Sequence, residues 1–425
     1  VNYSVQLCGK KITCKILTMK LILTLAWRNL WRNKRRTLIT ISSVLFAVIL
    51  AVFFFSMERG SYERMIDTMV RYSTGYIQVQ DVKYDEEPSM DYAMFFDEDI
   101  KDLLKEFDDE ISYHVPRIES FALAAADEVT RGSMVRGIDP GLENKMSELA
   151  DDLVEGEFIE RGDEGLLIAE GFAGILNVTI GDTLILLGQG FQGVSASGLY
   201  PIKGIVELSL PEMNNNTIYM SLDAAQWFYA AENRLTSLII MPENPSRTDQ
   251  LAEKLNSKID SEWYNVLTWE EMLTDLLAMM QFDMAGTWVL MIILYIVISF
   301  GLFGTILTMM IERRREFRLL FSLGLKRSKL AAVCFLESVF ITFTGAISGM
   351  ILAFPVVLYF YHNPIPLTGG MAETIMDYGF EPVLPFSLAP SVFYSQALIV
   401  LIISFLVGLF PVYKVFKFKI TDQKT

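Results

Sequence analysis

The sequence predicts an α-helical membrane protein with four transmembrane helices, arranged one plus three, and a large mixed α/β outer domain between the first and second. Three observations carry this. Four runs are free of charge, or nearly so, for long enough to cross a bilayer. Residues 58–283 form one hydrophilic block with 44 Asp+Glu against 16 Lys+Arg, a net of −28, while the remainder of the chain nets +13. The basic residues of that remainder sit in short clusters abutting the apolar runs, and such positive flanks stay in the cytoplasm. The acidic block is therefore outside. A 52% hydrophobic composition and a positive mean hydropathy agree with this.

The elements follow in order. Residues 1–18 show no apolar core followed by a small-residue cleavage site, and Leu7 precedes Cys8 where a lipid-modified cysteine wants a small residue. They read as translated upstream sequence ahead of a start at Met19. In 19–36, Leu23, Trp27, Leu30 and Trp31 recur at helical spacing, with Arg28, Arg32, Asn33 and Lys34 on the other side. This is an amphipathic helix for the cytoplasmic headgroup region. Residues 37–57 hold no charge and at about 1.5 Å per residue cross a core of about 30 Å as the first span.

Residues 58–283 alternate strand-like and helix-like stretches. Ile77 and Val79 share a strand face, and Ile100, Leu103, Leu104, Phe107 and Ile111 keep helical spacing through 99–111. Stretches 166–169, 181–187, 202–208 and 217–220 read as strands, the last leading into a helix capped by Ser221. Leu273, Leu276, Leu277 and Met280 keep helical spacing through 269–286, predicting a stalk that runs into the second span, 284–311. A cytoplasmic loop, 312–329, leads to the third span, 330–361. The loop at 362–390 contains Glu373, Asp377 and Glu381 but no Lys or Arg, so it lies outside. The fourth span, 391–413, returns the chain to a cytoplasmic tail, 414–425, with Lys414, Lys417 and Lys419.

Catalytic constellations are missing. His114 and His362 have no Cys or carboxylate at metal-ligand spacing, and no metal site is expected. There is no Gly-x-Ser-x-Gly elbow and no Gly-x-x-x-x-Gly-Lys-Ser/Thr phosphate loop. All three cysteines, Cys8, Cys14 and Cys334, fall outside the acidic block, so no disulfide holds the outer domain. In the loop at 312–329, Phe317, Leu320, Phe321 and Gly324 fall at i, i+3, i+4 and i+7, with Arg314 and Arg318 elsewhere round the helix. Two readings stand side by side: a positive anchor that fixes topology, or a helix whose apolar stripe and Glu316 offer a docking face.

The stretch Glu312-Arg-Arg-Arg-Glu-Phe, then Leu320 to Gly324, then Glu337, resembles the coupling segment of FtsX-like ABC permeases, the MacB and LolCDE superfamily. The opening Ala26-Trp-Arg-Asn-Leu-Trp-Arg-Asn-Lys-Arg-Arg-Thr is similar to that family's start, and Pro411-Val-Tyr-Lys to its close. Arg136-Gly-Ile-Asp-Pro, Val154-Glu-Gly, Ile180-Gly-Asp-Thr and Asp223-Ala-Ala-Gln resemble the LolC/LolE branch. Arg318 stands where relatives commonly carry Gly, and Phe321-Ser322 where they carry Arg-Ala.

The resemblance implies a permease of the bacterial inner membrane with both termini cytoplasmic and a MacB-like periplasmic domain. It implies no cofactor in this chain, ATP and Mg being bound by a separate ABC ATPase that docks at Glu312, Arg314, Arg315, Glu316, Phe317, Leu320, Phe321 and Gly324. It further implies a second permease copy or a sister permease, membrane lipids, and a lipoprotein substrate or a periplasmic adaptor as partners; no nucleic acid is involved. The implied work is release of lipoproteins from the membrane. The alternatives are MacB-like efflux and FtsX-like activation of a cell-wall hydrolase.

Two intramembrane features complete the reading. Glu337 is costly in lipid and is expected to pair with an Arg from the cytoplasmic side. Gly345-Ala-Ile-Ser-Gly349 offers a small-residue helix contact. Met57, Met65, Met69, Met279, Met280 and Met284 cluster at the outer boundary, where flexible thioethers suit acyl chains as well as ordinary core packing.

Overall fold

A computed structural model describes residues 24, 27, 28, 30–32, 34–322, 326–370, 372, 376 and 382–417; the expectation for 1–18 lies outside these residues, as does Gly324. The chain divides into a helical unit, Val1–Tyr62 with Met280–Ile365 and Leu384–Thr425, and a sheet unit, Glu63–Met279 with Pro366–Val383.

Four helices are long and apolar enough to cross a membrane. They are span 1 (Lys34–Met69), span 2 (Thr274–Glu312), span 3 (Arg327–His362) and span 4 (Pro390–Phe416). Each is longer than its uncharged run, because a helix once formed continues into polar sequence while its backbone bonds are kept. In the helical unit Val44, Val48 and Val52 of span 1 pack with Met291 and Tyr295 of span 2, Ala346 and Ala353 of span 3, and Val392 and Val400 of span 4. Gly345 and Gly349 let span 3 lie against span 1. A Cβ at either would come within 2.8 Å of Val44 or Val48 and 3.0 Å of the Ile41 or Leu45 carbonyl. Polar side chains buried in the unit form pairs between helices: Tyr295 donates to Gln396, and the Thr342 and Ser404 hydroxyls bond each other.

The sheet unit holds strands β1 (Ile77–Asp81), β2 (Met94–Phe95), β3 (Ile111–Ala126), β4 (Val129–Ile138), β5 (Leu153–Gly156), β6 (Leu166–Ala169), β7 (Thr183–Gln189), β8 (Ser195–Val206), β9 (Thr217–Ser221), β10 (Arg234–Leu235), β11 (Ser237–Pro242) and β12 (Tyr264–Thr268). The large sheet runs β12-β1-β11-β3-β4-β9-β6-β8-β5, and β7 bonds both β3 and β8. Thus β3, β4, β9, β6, β8 and β7 close into a six-stranded barrel. Its interior takes Ala122, Ala124, Val135, Leu186, Ile202 and Ile218, small residues on the long strand leaving room for branched ones opposite. The first half of β3 leaves the barrel to pair with β11, which continues to β1 and β12. Helices Glu98–Glu106 and Thr248–Lys258 cover that part, burying Ile100, Leu104, Leu251 and Leu255 against Ile77, Val79 and Leu238.

Two expected helices differ in extent. The one anticipated over 99–111 stops at Glu106, because Phe107 takes the cap and Ile111 enters β3 opposite Pro242. The anticipated stalk is broken at Leu273. Thr268 and Glu271 form a capping box that starts a single turn, Trp269–Met272, and span 2 begins afresh at Thr274.

Within the sheet unit, the end of the span 1 helix tightens into a π turn, Val70–Thr74. Its terminal carbonyls, which no helical N–H can reach, are met by side chains. Arg136 donates to the Tyr72 carbonyl at 2.7 Å, Arg117 to the Ser73 carbonyl at 2.7 Å, and Gln78 to the Thr74 carbonyl at 2.8 Å. Arg117 is wholly buried and also forks onto Glu143, itself 1% exposed. Burial works against its charge, but Glu143 and Glu119 outweigh that and raise its pKa. The Tyr72 hydroxyl bonds Asp152, and Arg71 bonds Glu148. Gly75 ends the turn at φ +62°, where a Cβ would lie 2.1 Å from the Ile239 side chain, so only glycine fits.

Candidate functional site at the loop between spans 2 and 3

The helical unit places a nine-residue helix, Arg314–Ser322, between spans 2 and 3. A break at Arg313 separates it from span 2, and the redirected chain lets both its ends be held. Phe317 (4% exposed) and the half-buried Phe321 pack on Leu330, Ala331 and Cys334 of span 3 and on Val412 and Val415 of span 4. The anticipated stripe is thus split: its phenylalanines cover the chain's own helices, while Leu320 remains 36% exposed beside Leu319 at 66%. Arg314, Arg315 and Arg318 are exposed on the same short helix. That leaves a surface of cations around two leucines.

The acids behave differently from one another. Glu337, 1% exposed, accepts from Arg313, as a carboxylate buried among apolar helices requires. Glu316, expected as a docking charge, is engaged within the chain: Arg32 donates to it, and Arg313 lies 4.0 Å away. Both Arg32 and Glu316 are about half exposed, so their pair contributes at most about 1 kcal/mol. These four groups line a polar cavity of about 280 Å³ that also reaches Thr37, Thr40 and Glu312. Trp27 adds an apolar tie, its ring 6.0 Å edge-on to Phe340 of span 3. The described part of the amphipathic N-terminal segment is helical and is therefore bound to both the short helix and span 3.

Arg313 and Arg32 were not singled out by spacing. A sequence signal exists for the first, since a carboxylate inside a span calls for a cation one loop away. The second has none, its partner being 284 residues distant. The methionines divide between the units. In the helical unit Met57 packs against the bundle core, Met280 is buried and Met284 is exposed; in the sheet unit Met65 and Met69 are half-buried and Met279 is exposed. Among the described residues no group of three His, Cys, Asp or Glu is placed to hold a metal.

The FtsX-like permease C-terminal family matches residues 288–420, which include the larger part of span 2, the short helix and the whole of spans 3 and 4. The lipoprotein-releasing system transmembrane protein LolC of Neisseria meningitidis serogroup B is 21% identical over 247 residues, covering 56% of this chain and 59% of the relative. LolC of Xylella fastidiosa is 21% identical over 251 residues, covering 57% and 60%. The chain therefore spans somewhat less than two thirds of the length of these relatives. Among solved structures, the extracellular domain of the noncanonic ABC-type transporter YknZ from Gram-positive bacteria matches at 16% identity and a TM-score of 0.33, over 46% of this chain and 100% of that one. The periplasmic region of MacB from Actinobacillus actinomycetemcomitans matches at 13% and 0.35, over 49% and 95%. Residues 288–420, with the short amphipathic helix among them, are thus similar to the C-terminal part of FtsX-like permeases, and somewhat more than half of the chain is similar to LolC.

Proposed function

We propose that this chain is the permease subunit through which a separate ATPase performs work on the far side of the bacterial inner membrane, and that the work is release of lipoproteins. The observation that carries the coupling role is the short helix Arg314–Ser322. It is joined to span 3 by Arg313–Glu337 and Phe317 and to the N-terminal helix by Glu316–Arg32, while Arg314, Arg315, Arg318, Leu319 and Leu320 face outward. A nucleotide-driven push on that outward face would move spans 2 and 3 together rather than bend a loose loop. ATP and Mg belong to the partner, and a second permease, identical or a sister, completes the assembly with the termini cytoplasmic.

The likeness to LolC supports lipoproteins as cargo. Depletion of the protein followed by membrane fractionation tests this. Lipoproteins destined for the outer membrane should accumulate in the inner membrane; normal distribution would reject the cargo assignment. The coupling role is tested apart, by replacing Leu319 and Leu320 with Asp in the complete transporter. Loss of ATPase association is expected, and unchanged association would reject the docking face.

A further inference from the structure

The sheet unit carries a pocket of about 390 Å³ that the coupling reading does not use. Its walls come from the loop before β6, from β8, and from the helix Leu222–Phe228, which supplies Asp223 and Trp227 one turn apart on a single face. Trp227 is 70% exposed, an unusual amount for an indole. Glu164 makes no ion pair among the described residues, and Asp223 has only Arg161, 3.9 Å away with both side chains largely in solvent. At the floor sits Tyr200, 5% exposed, whose hydroxyl has no hydrogen-bond partner among the described residues. Its ring is held edge-on to Phe228 at 5.8 Å and rests beside Gly198, where a Cβ would come within 2.6 Å of it. Burial, and then Glu164, push the hydroxyl's pKa up to about 12, so it is a neutral donor and acceptor at any ordinary pH.

A buried hydroxyl without a partner forfeits its hydrogen bonds, and such an atom calls for something to meet it. The chemistry around it selects what. Two carboxylates and an exposed indole face form a receptor for a cation, with the aromatic quadrupole and the acids attracting the same charge. An acyl chain would leave the carboxylates and the hydroxyl unmatched.

We propose that this pocket receives a basic side chain, lysine or arginine, from a polypeptide on the sheet unit's side of the membrane, its N–H groups donating to Glu164, Asp223 and the Tyr200 hydroxyl over the Trp227 ring. The net −28 of residues 58–283 draws such a partner in. The site does not depend on lipoproteins being the cargo, and it would serve any basic extracytoplasmic partner.

The test uses the full chain in detergent, with Nα-acetyl-lysine methylamide as probe and the uncharged Nα-acetyl-norleucine methylamide as control, read by calorimetry. Saturable binding of the lysine probe in roughly the millimolar range is expected. It should weaken about tenfold or more in Glu164→Gln/Asp223→Asn and in Trp227→Ala. Tyr200→Phe should also weaken it while leaving thermal unfolding unchanged or raised, since the hydroxyl it removes has no partner to lose. Absence of saturable binding, equal binding of the norleucine control, or undiminished binding in these variants would overturn the proposal.

Discussion

Glu337 and Arg313 show how much one residue can settle inside an apolar unit. With Glu337 1% exposed and Arg313 13%, each charge is tolerated because the other is present. Glu337→Ala leaves the guanidinium buried beside Cys334 without its carboxylate, and a loss of about 3–5 kcal/mol is expected. Replacing both by leucine should return much of it, because the burial cost of both charges then disappears together. Thermal unfolding of the purified variants checks this: a double variant no more stable than the single one would show that the pair does more than neutralise itself. Gly345 and Gly349 act by absence in the same unit, fixing where span 1 can lie.

At the scale of elements, the short helix Arg314–Ser322 and the π turn Val70–Thr74 are both joints, and they are held by different chemistry. The first rests on phenylalanines and one buried ion pair. The second is fastened by guanidinium groups on backbone carbonyls. Arg117→Met alone strands Glu143 in the core and should destabilise by about 3–5 kcal/mol, whereas Arg117→Met with Glu143→Leu should cost far less. The double variant still lacks the bond to Ser73. Under the proposed coupling role, if that bond transmits movement, the variant should fold and bind the ATPase yet lose the work done outside; retained work would assign Arg117 a purely structural role.

Much of this was legible in the chain and some was not, for physical reasons. The spans show through because exclusion of charge is a one-dimensional property, and β1 and the Ser221 cap because alternation and capping act over a few residues. Barrel closure stays hidden because β3–β7 and β4–β9 join strands far apart in sequence. Arg117 looks like an interruption in an apolar stretch, its partner Glu143 being 26 residues on. Phe317 and Phe321 gave a correct helix but not its direction, since an apolar stripe does not say whose surface covers it.

For the whole molecule, the order in which strands pair sets the order in which the sheet unit is built. All six barrel strands lie between residues 111 and 221, so the barrel has its complete set as soon as that stretch has crossed the membrane. By contrast β1, made first, has only β11 and β12 as neighbours, roughly 150 residues or more further along, and must wait unpaired for them. Chains stopped at residue 235 should yield a protease-resistant barrel fragment with residues 77–100 still cut, while full-length chains resist throughout; protection of both regions at one step would contradict the order. During that interval β1 offers both its edges, with no disulfide in the unit to restrain the chain, to any strand nearby. The segment that follows the first span is thus the last to find its place, and synthesis of this protein has a built-in period in which an early strand stands open on both sides.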